Sequence, residues 1–224
     1  MTRNLTLFDL DGTLIPLDSD HAFGDFLVRV GWVDSEDFKR RNDAFFADYN
    51  AGTLDLAAYV DFATSAWRHR APGEALAMRE RFMREEMASA LKPQALELVK
   101  RHQDEGDLVA IVTATNEFVT RPIADAFGVE HLIAVDLHTD EQGRVTGQIR
   151  GVPAFREGKI ARVLQWLGER EHAWDQFGRI TFYSDSTNDL PLLERVSDPV
   201  ATNPGPGLER IAQERGWRIL RLFE

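Results

Sequence analysis

The segment Asn4-Leu5-Thr6-Leu7-Phe8-Asp9-Leu10-Asp11-Gly12-Thr13-Leu14 sets an apolar run directly against two aspartates and a glycine. Residues 4–8 read as a short buried β-strand ended by a turn signal. In open α/β sheets ligands collect outside the carboxyl ends of the strands, which is where these aspartates fall. Asp9 and Asp11 are two residues apart, so an extended backbone aims both to the same side. Two such carboxylates repel unless a cation lies between them or one holds a proton. Gly12 allows backbone amides to approach a bound anion closely. An ordinary Asp-Gly turn with solvated carboxylates is the competing reading, and the segment alone leaves both open.

Working outward, the strand pattern recurs. Leu108-Val109-Ala110-Ile111-Val112 follows a helix-like segment over 93–102 and a turn at Gly106. Residues 132–135 and 180–183 are two further strands, 199–201 a short fifth, and 217–223 an added edge. Helical patterns over 118–127 and 160–167 separate them. This alternation predicts an α/β fold: a Rossmann-like parallel sheet core flanked by helices on both faces. Residues 135–151, with Gly143 at their centre, read as a β-hairpin.

Residues 17–91 lack a convincing strand. Phe23, Phe26, Leu27 and Val30 recur at helical spacing. A second helix starts near Ser35, with Glu36 and Asp37 in its first turn where acidic groups suit the helix dipole. It is expected to bury Phe38, Phe45 and Tyr49 and to stop at Asn50-Ala51-Gly52. Leu56, Val60, Ala63 and Trp67 mark a third helix. Leu76, Met83 and Met87 mark a fourth, after Pro72-Gly73. The aromatic residues could line a substrate pocket, but at these spacings they read as core. An all-helical insert, 17–91, therefore divides an α/β core made of 1–16 and 92–224.

Other strand ends deliver polar groups to the same crevice. The second strand ends Val112-Thr113-Ala114-Thr115-Asn116, a run that also suits a helix N-cap. The fourth ends Ser184-Asp185-Ser186-Thr187-Asn188-Asp189. More carboxylate beside Asp9 and Asp11 calls for a divalent cation, and oxygen-only ligands favour Mg²⁺. Lys159, at a helix start in Glu157-Gly158-Lys159-Ile160, could balance that charge and hold a phosphoryl oxygen.

Taken together, Asp9-Leu10-Asp11-Gly12-Thr13-Leu14, then Thr113, then Lys159, then residues 185–189 resemble the motifs of the haloacid dehalogenase superfamily of phosphohydrolases. The position of the helical insert is similar to that of its phosphoserine-phosphatase branch. The resemblance implies that Asp9 is a nucleophile forming an aspartyl-phosphate, and that Asp11 is the general acid and base. It implies Mg²⁺ held by Asp9, the backbone carbonyl of Asp11 and Asp185, with Asp189 in support. Thr113, Lys159, Asn188 and amides near Gly12 would hold the phosphoryl oxygens, and the insert would be a mobile cap. The implied activity is Mg²⁺-dependent hydrolysis of a small phosphate ester such as phosphoserine, histidinol phosphate or lysophosphatidate. Phosphotransfer to an alcohol acceptor and a non-catalytic phospho-switch are the alternatives.

The chain departs from that branch in places that bear on substrate. Ala114-Thr115 and Ser184, Ser186 and Thr187 stand where glycines are usual, and the cap pattern of Phe followed by Arg and Val is missing. Asp18 lies where the branch has a glutamate that contacts the substrate ammonium, so Asp18, Asp20 and His21 form a specificity cluster, with a solvated helix start as the plainer reading. The remaining histidines lack metal-ligand spacing and read as surface or hydrogen-bonded core.

Composition narrows the rest. The 224 residues are 43% hydrophobic and 28% charged, as in ordinary globular proteins. No apolar run approaches the roughly 18 residues of a membrane span. Met1-Thr2-Arg3-Asn4 leads straight into the first strand without a secretory h-region, so a cytoplasmic location is expected. The absence of cysteine excludes thiolate metal sites and cysteine nucleophiles. A net charge of −11 argues against a nucleic-acid partner.

Overall fold

The computed structural model describes residues 3–223; residues 1, 2 and 224 of the expected core lie outside the described residues. Strand β1 (Leu5–Phe8) is buried on both faces, as a central parallel strand must be. Between β1 and the next strand come α1 (Ser19–Arg29), α2 (Ser35–Ala51), α3 (Leu56–Ser65), α4 (Pro72–Phe82), a wide π turn (Met83–Met87) and α5 (Ala88–Ala90). The chain continues through α6 (Pro93–Asp104), β2 (Leu108–Asn116), α7 (Glu117–Ala126), β3 (His131–Val135) and the antiparallel hairpin of β4 (Leu137–Thr139) and β5 (Val145–Ile149). It ends with α8 (Glu157–Gly168), β6 (Ile180–Ser184), α9 (Leu190–Leu193), β7 (Asp198–Thr202), α10 (Pro206–Arg215) and β8 (Arg218–Leu220).

The six-stranded sheet runs β3-β2-β1-β6-β7-β8, and every pairing in it is parallel. Strand order grows in opposite directions from β1, so the topological switch point, where such sheets bind ligands, lies at the carboxyl end of β1. Alternate residues of the strands feed two layers. Phe8, Val109 and Ile111 join one core with Val119 and Ile123 of α7, while Leu5, Leu7, Ala110 and Val112 meet Val163 and Leu167 of α8 and Leu208 of α10. His102 is buried and hydrogen-bonded, with Nδ1 2.8 Å from Asp107 and Nε2 2.8 Å from the Tyr183 hydroxyl, as expected of a core histidine.

The helical insert is anchored at both ends. Phe23, Phe26 and Leu27 of α1 and Phe82 of α4 belong to the same buried cluster as Phe8. Helix α3 rests instead on the hairpin, where Leu56 and Val60 pack with Val135, Ile149 and Phe155. Two expectations for the insert need correction. Leu76 is exposed rather than core, because the buried face of α4 runs through Ala75 and Phe82, and the π turn that follows brings Met87 onto that face. Phe45 and Tyr49 are only half-buried, because their face of α2 looks onto a cleft. Strand β2 also runs four residues beyond Val112. Its register with β3 shifts between Val112 and Asn116, and the Thr113 hydroxyl accepts the Thr115 amide at 3.1 Å within that irregularity.

Candidate active site

The carboxyl end of β1 opens into a tight loop. The Leu10 carbonyl accepts the amides of Thr13, Leu14 and Ile15. Asn203 braces it by donating to the Gly12 carbonyl at 2.9 Å. Gly12 has φ 71°, and a Cβ there would stand 2.3 Å from Asp185 Oδ2, so only glycine fits between the loop and the end of β6. Its own amide turns to the Leu17 carbonyl at 3.2 Å. Thr13 ties the two strand ends together: its hydroxyl donates to Asp185 Oδ1 at 3.1 Å and accepts the Asp185 amide at 3.0 Å.

Asp9 is buried, and Lys159 Nζ donates to its Oδ1 at 2.8 Å. The same ammonium donates to Asp189 Oδ2 at 2.7 Å, and that oxygen also accepts the Ser184 hydroxyl at 2.7 Å. Lys159 is 1% exposed, so this is a fully desolvated ion triad rather than a surface pair. Asp11 is held on both oxygens: Oδ1 accepts the Ser19 amide at 2.8 Å and Oδ2 the Thr115 hydroxyl at 2.8 Å. Thr115 was visible in the sequence only as a departure from glycine. Its hydrogen bond to Asp11 comes from the irregular end of β2, which periodicity does not reveal.

Burial dominates the electrostatics. It pushes the carboxyl of Asp9 up to about 7 against the opposing pull of Lys159, and that of Asp11 to about 7 with the neighbouring Asp18 charge adding to it. Asp185 is raised well above its usual value by burial and by the charges of Asp9 and Asp189. Lys159 satisfies Asp9 and Asp189, whereas Asp11 and Asp185 form no ion pair among the described residues. A hard divalent cation fits this donor set: oxygen ligands only, with negative charge left over on Asp185 beside Asp9.

Above the strand ends, Asp9, Asp11, Thr113, Ala114 and Thr115 floor a narrow cleft. Its walls come from the insert: Asp18 and His21 of the α1 start, Phe45, Phe46 and Tyr49 of α2, and Leu54, Leu56 and Tyr59 around α3. Asp18 doubles as the α1 N-cap, accepting the His21 amide at 2.8 Å. Asp20 does not line the cleft. It is buried behind Tyr59, whose hydroxyl it accepts, and Asn116 Nδ2 donates to it at 3.2 Å. His21 is drawn to Asp43 on α2 at 2.9 Å and stacks on Phe46. The amide of Asn188 donates to the Tyr49 carbonyl at 3.2 Å, which places this residue at the seam between core and insert. The structure thus gathers Asp9, Asp11, Gly12, Thr113, Lys159, Asp185, Asn188 and Asp189 at one end of the sheet, with Asp18 and His21 at the cleft wall and Asp20 behind it.

A family model for haloacid dehalogenase-like hydrolases matches residues 6–194. A protein from Neisseria meningitidis serogroup C named histidinol-phosphatase is 41% identical over 97% of this chain and 98% of its own length. The crystal structure of a protein with unknown function from Bordetella pertussis Tohama I superposes with a TM-score of 0.94 at 50% identity, covering 100% of both chains. A substrate-bound phosphoserine phosphatase complex has the same fold, with a TM-score of 0.69 at 15% identity over 98% of this chain and 93% of that one. Among the described residues no helix is long and apolar enough to cross a membrane.

Proposed function

Because the chain belongs to the haloacid dehalogenase-like hydrolases and is a phosphatase among them, we propose that it hydrolyses histidinol phosphate, or a closely similar amino-alcohol phosphate, through an aspartyl-phosphate on Asp9. The observation that carries this reading is the desolvated Lys159 bridge between Asp9 and Asp189 beside an Asp11 held on both oxygens. Lys159 fixes Asp9 by Oδ1, leaving Oδ2 to attack phosphorus. The P–O ester bond breaks, and the leaving alkoxide takes a proton from Asp11. Burial holds the Asp11 carboxyl at about 7, which keeps a share of it protonated near neutrality. Water then attacks the phosphoryl group, Asp11 recovers a proton from it, and Asp9 is released with inorganic phosphate.

Asp9, Asp185 and the backbone carbonyl of Asp11 would hold Mg²⁺, with Asp189 behind them. When bound there it lets an anionic carboxylate meet an anionic phosphate and offsets charge on the transferring group. Thr113, Lys159 and Asn188 are the side chains assigned to the phosphoryl oxygens. The leaving group faces the insert. An ammonium suits the Asp18 carboxylate, and a flat imidazole suits the faces of Phe45, Tyr49 and Tyr59. The relative named histidinol-phosphatase supports that choice over phosphoserine, which carries no ring to stack.

The test is phosphate release from histidinol phosphate, phosphoserine, a lysophosphatidate and p-nitrophenyl phosphate, each with Mg²⁺ and with a chelator. Histidinol phosphate is expected to give the highest kcat/KM, with activity lost in chelator and restored by Mg²⁺. A clear preference for phosphoserine or lysophosphatidate would overturn the substrate reading, and full turnover in chelator would overturn the cation assignment.

A further inference from the structure

Three core side chains meet the C-terminal end of α2. The Phe155 ring lies 6.3 Å from that of Tyr49, Asn188 Nδ2 donates to the Tyr49 carbonyl at 3.2 Å, and Arg156 Nη2 donates to the Gly52 carbonyl. Both carbonyls belong to the turn that closes α2, the end that carries partial negative charge, and the Tyr49 carbonyl also accepts the Gly52 amide at 3.0 Å. Helix α2 has no basic residue in its own last turn, and it ends at Gly52 with φ 71°. The cation that complements this end is therefore supplied by the core. Arg156 is itself unusual: it opens α8 at φ 51° and ψ −124°, a strained conformation for a residue with a side chain. Its guanidinium lies 4.8 Å over the Phe155 ring, and its Nε is 3.4 Å from Asn188 Oδ1.

We propose that Arg156 is a positioning residue for the reaction: one guanidinium seats the aromatic wall of α2 over the cleft and orients Asn188 beside it. The kinetic part rests on the phosphatase reading above. His21 and Asp43 hold Phe46, and Tyr59 and Phe62 pack on Phe45, whereas Tyr49 and the end of α2 are tied to the core through Phe155, Arg156 and Asn188. Without the guanidinium the seated form is a smaller fraction of the molecules, and apparent substrate affinity falls in proportion to that fraction. Turnover of substrate once it is enclosed is little changed, because Arg156 touches none of the reacting atoms and Asn188 keeps its second anchor on the Tyr49 carbonyl. The effect is thus on KM rather than kcat.

The experiment compares Arg156→Gly and Arg156→Lys with the wild type. Glycine relieves the positive φ while deleting the guanidinium, so the melting temperature of Arg156→Gly is expected to equal or exceed that of the wild type. Its KM for histidinol phosphate with Mg²⁺ is expected to rise about ten- to a hundredfold, the worth of a charge-assisted hydrogen bond, with kcat within about threefold. In the substrate-free protein, amide hydrogen exchange over residues 44–54 is expected to quicken. Arg156→Lys, which can bond one carbonyl but cannot fork to Asn188, is expected to recover part of both effects.

Unchanged exchange and KM in a folded Arg156→Gly would overturn the proposal, as would a lost kcat at constant KM or a collapse of melting temperature in both variants. If the wild type fails to hydrolyse histidinol phosphate, the substrate reading falls, and the exchange measurement still decides the role of Arg156.

Discussion

Lys159 reaches 2.8 Å to Asp9 and 2.7 Å to Asp189, and its own side chain is out of contact with water. Its desolvation is offset only because two carboxylates and the Ser184 hydroxyl complete the arrangement. Removing one member of such a set leaves the others as uncompensated buried charges. Lys159→Met is therefore expected to destabilise the chelator-treated protein by about 3–5 kcal/mol in denaturant unfolding, despite its apolar, well-fitting side chain. A loss below about 1 kcal/mol would mean that the triad is not held as described. The sequence placed Lys159 at a helix start and offered it only as a candidate to balance the aspartates and hold a phosphoryl oxygen. A lysine there is indistinguishable from a surface residue until the fold brings residues 9, 159 and 189 together.

At the scale of elements, the start of α1 joins structure to specificity. Asp18 caps the helix and lines the cleft, so substituting it tests both roles. Asparagine caps about as well as aspartate but carries no charge. Asp18→Asn is therefore expected to lower kcat/KM for histidinol phosphate by about ten- to a hundredfold while leaving p-nitrophenyl phosphate within about threefold. Equal losses on both esters would show that Asp18 serves the shared phosphate site. The strands and the Asp9–Gly12 turn were legible because a buried parallel strand is an apolar run with an abrupt end. The roles of Phe45 and Tyr49 were legible only as the alternative to a core position. Their spacing is that of a core-facing stripe, and whether such a stripe faces core or cleft depends on what packs opposite, which only tertiary structure decides. Thr115 escaped for a similar reason, since an irregular strand end carries no period, whereas Asn116 caps α7 as the composition of that run allowed.

Over the whole molecule, the concentration of buried carboxylate at one sheet end makes stability depend on pH. Burial pushes Asp20, behind the cleft wall, up to about 7, against the hydrogen bonds from Tyr59 and Asn116. Between about pH 4 and 7 the folded protein therefore keeps a proton that the unfolded chain has released. The stabilisation is complete below about pH 4 and is lost as pH rises through 7. In chelator, the wild type is expected to lose stability across that window, and Asp20→Asn to flatten the slope by up to about 4 kcal/mol, read by unfolding at each pH. A parallel slope in the variant would mean that Asp20 is ionised throughout. The most direct test of the chemistry uses the intact protein: acid-quench it during turnover of histidinol phosphate with Mg²⁺, digest it, and locate any acid-stable-enough phosphoryl adduct by mass spectrometry. The expected result is phosphate on the peptide carrying Asp9, absent from Asp9→Asn, whose turnover falls at least about a thousandfold while it remains folded. Phosphate on another residue, or near-wild-type turnover by Asp9→Asn, would contradict Asp9 as the acceptor.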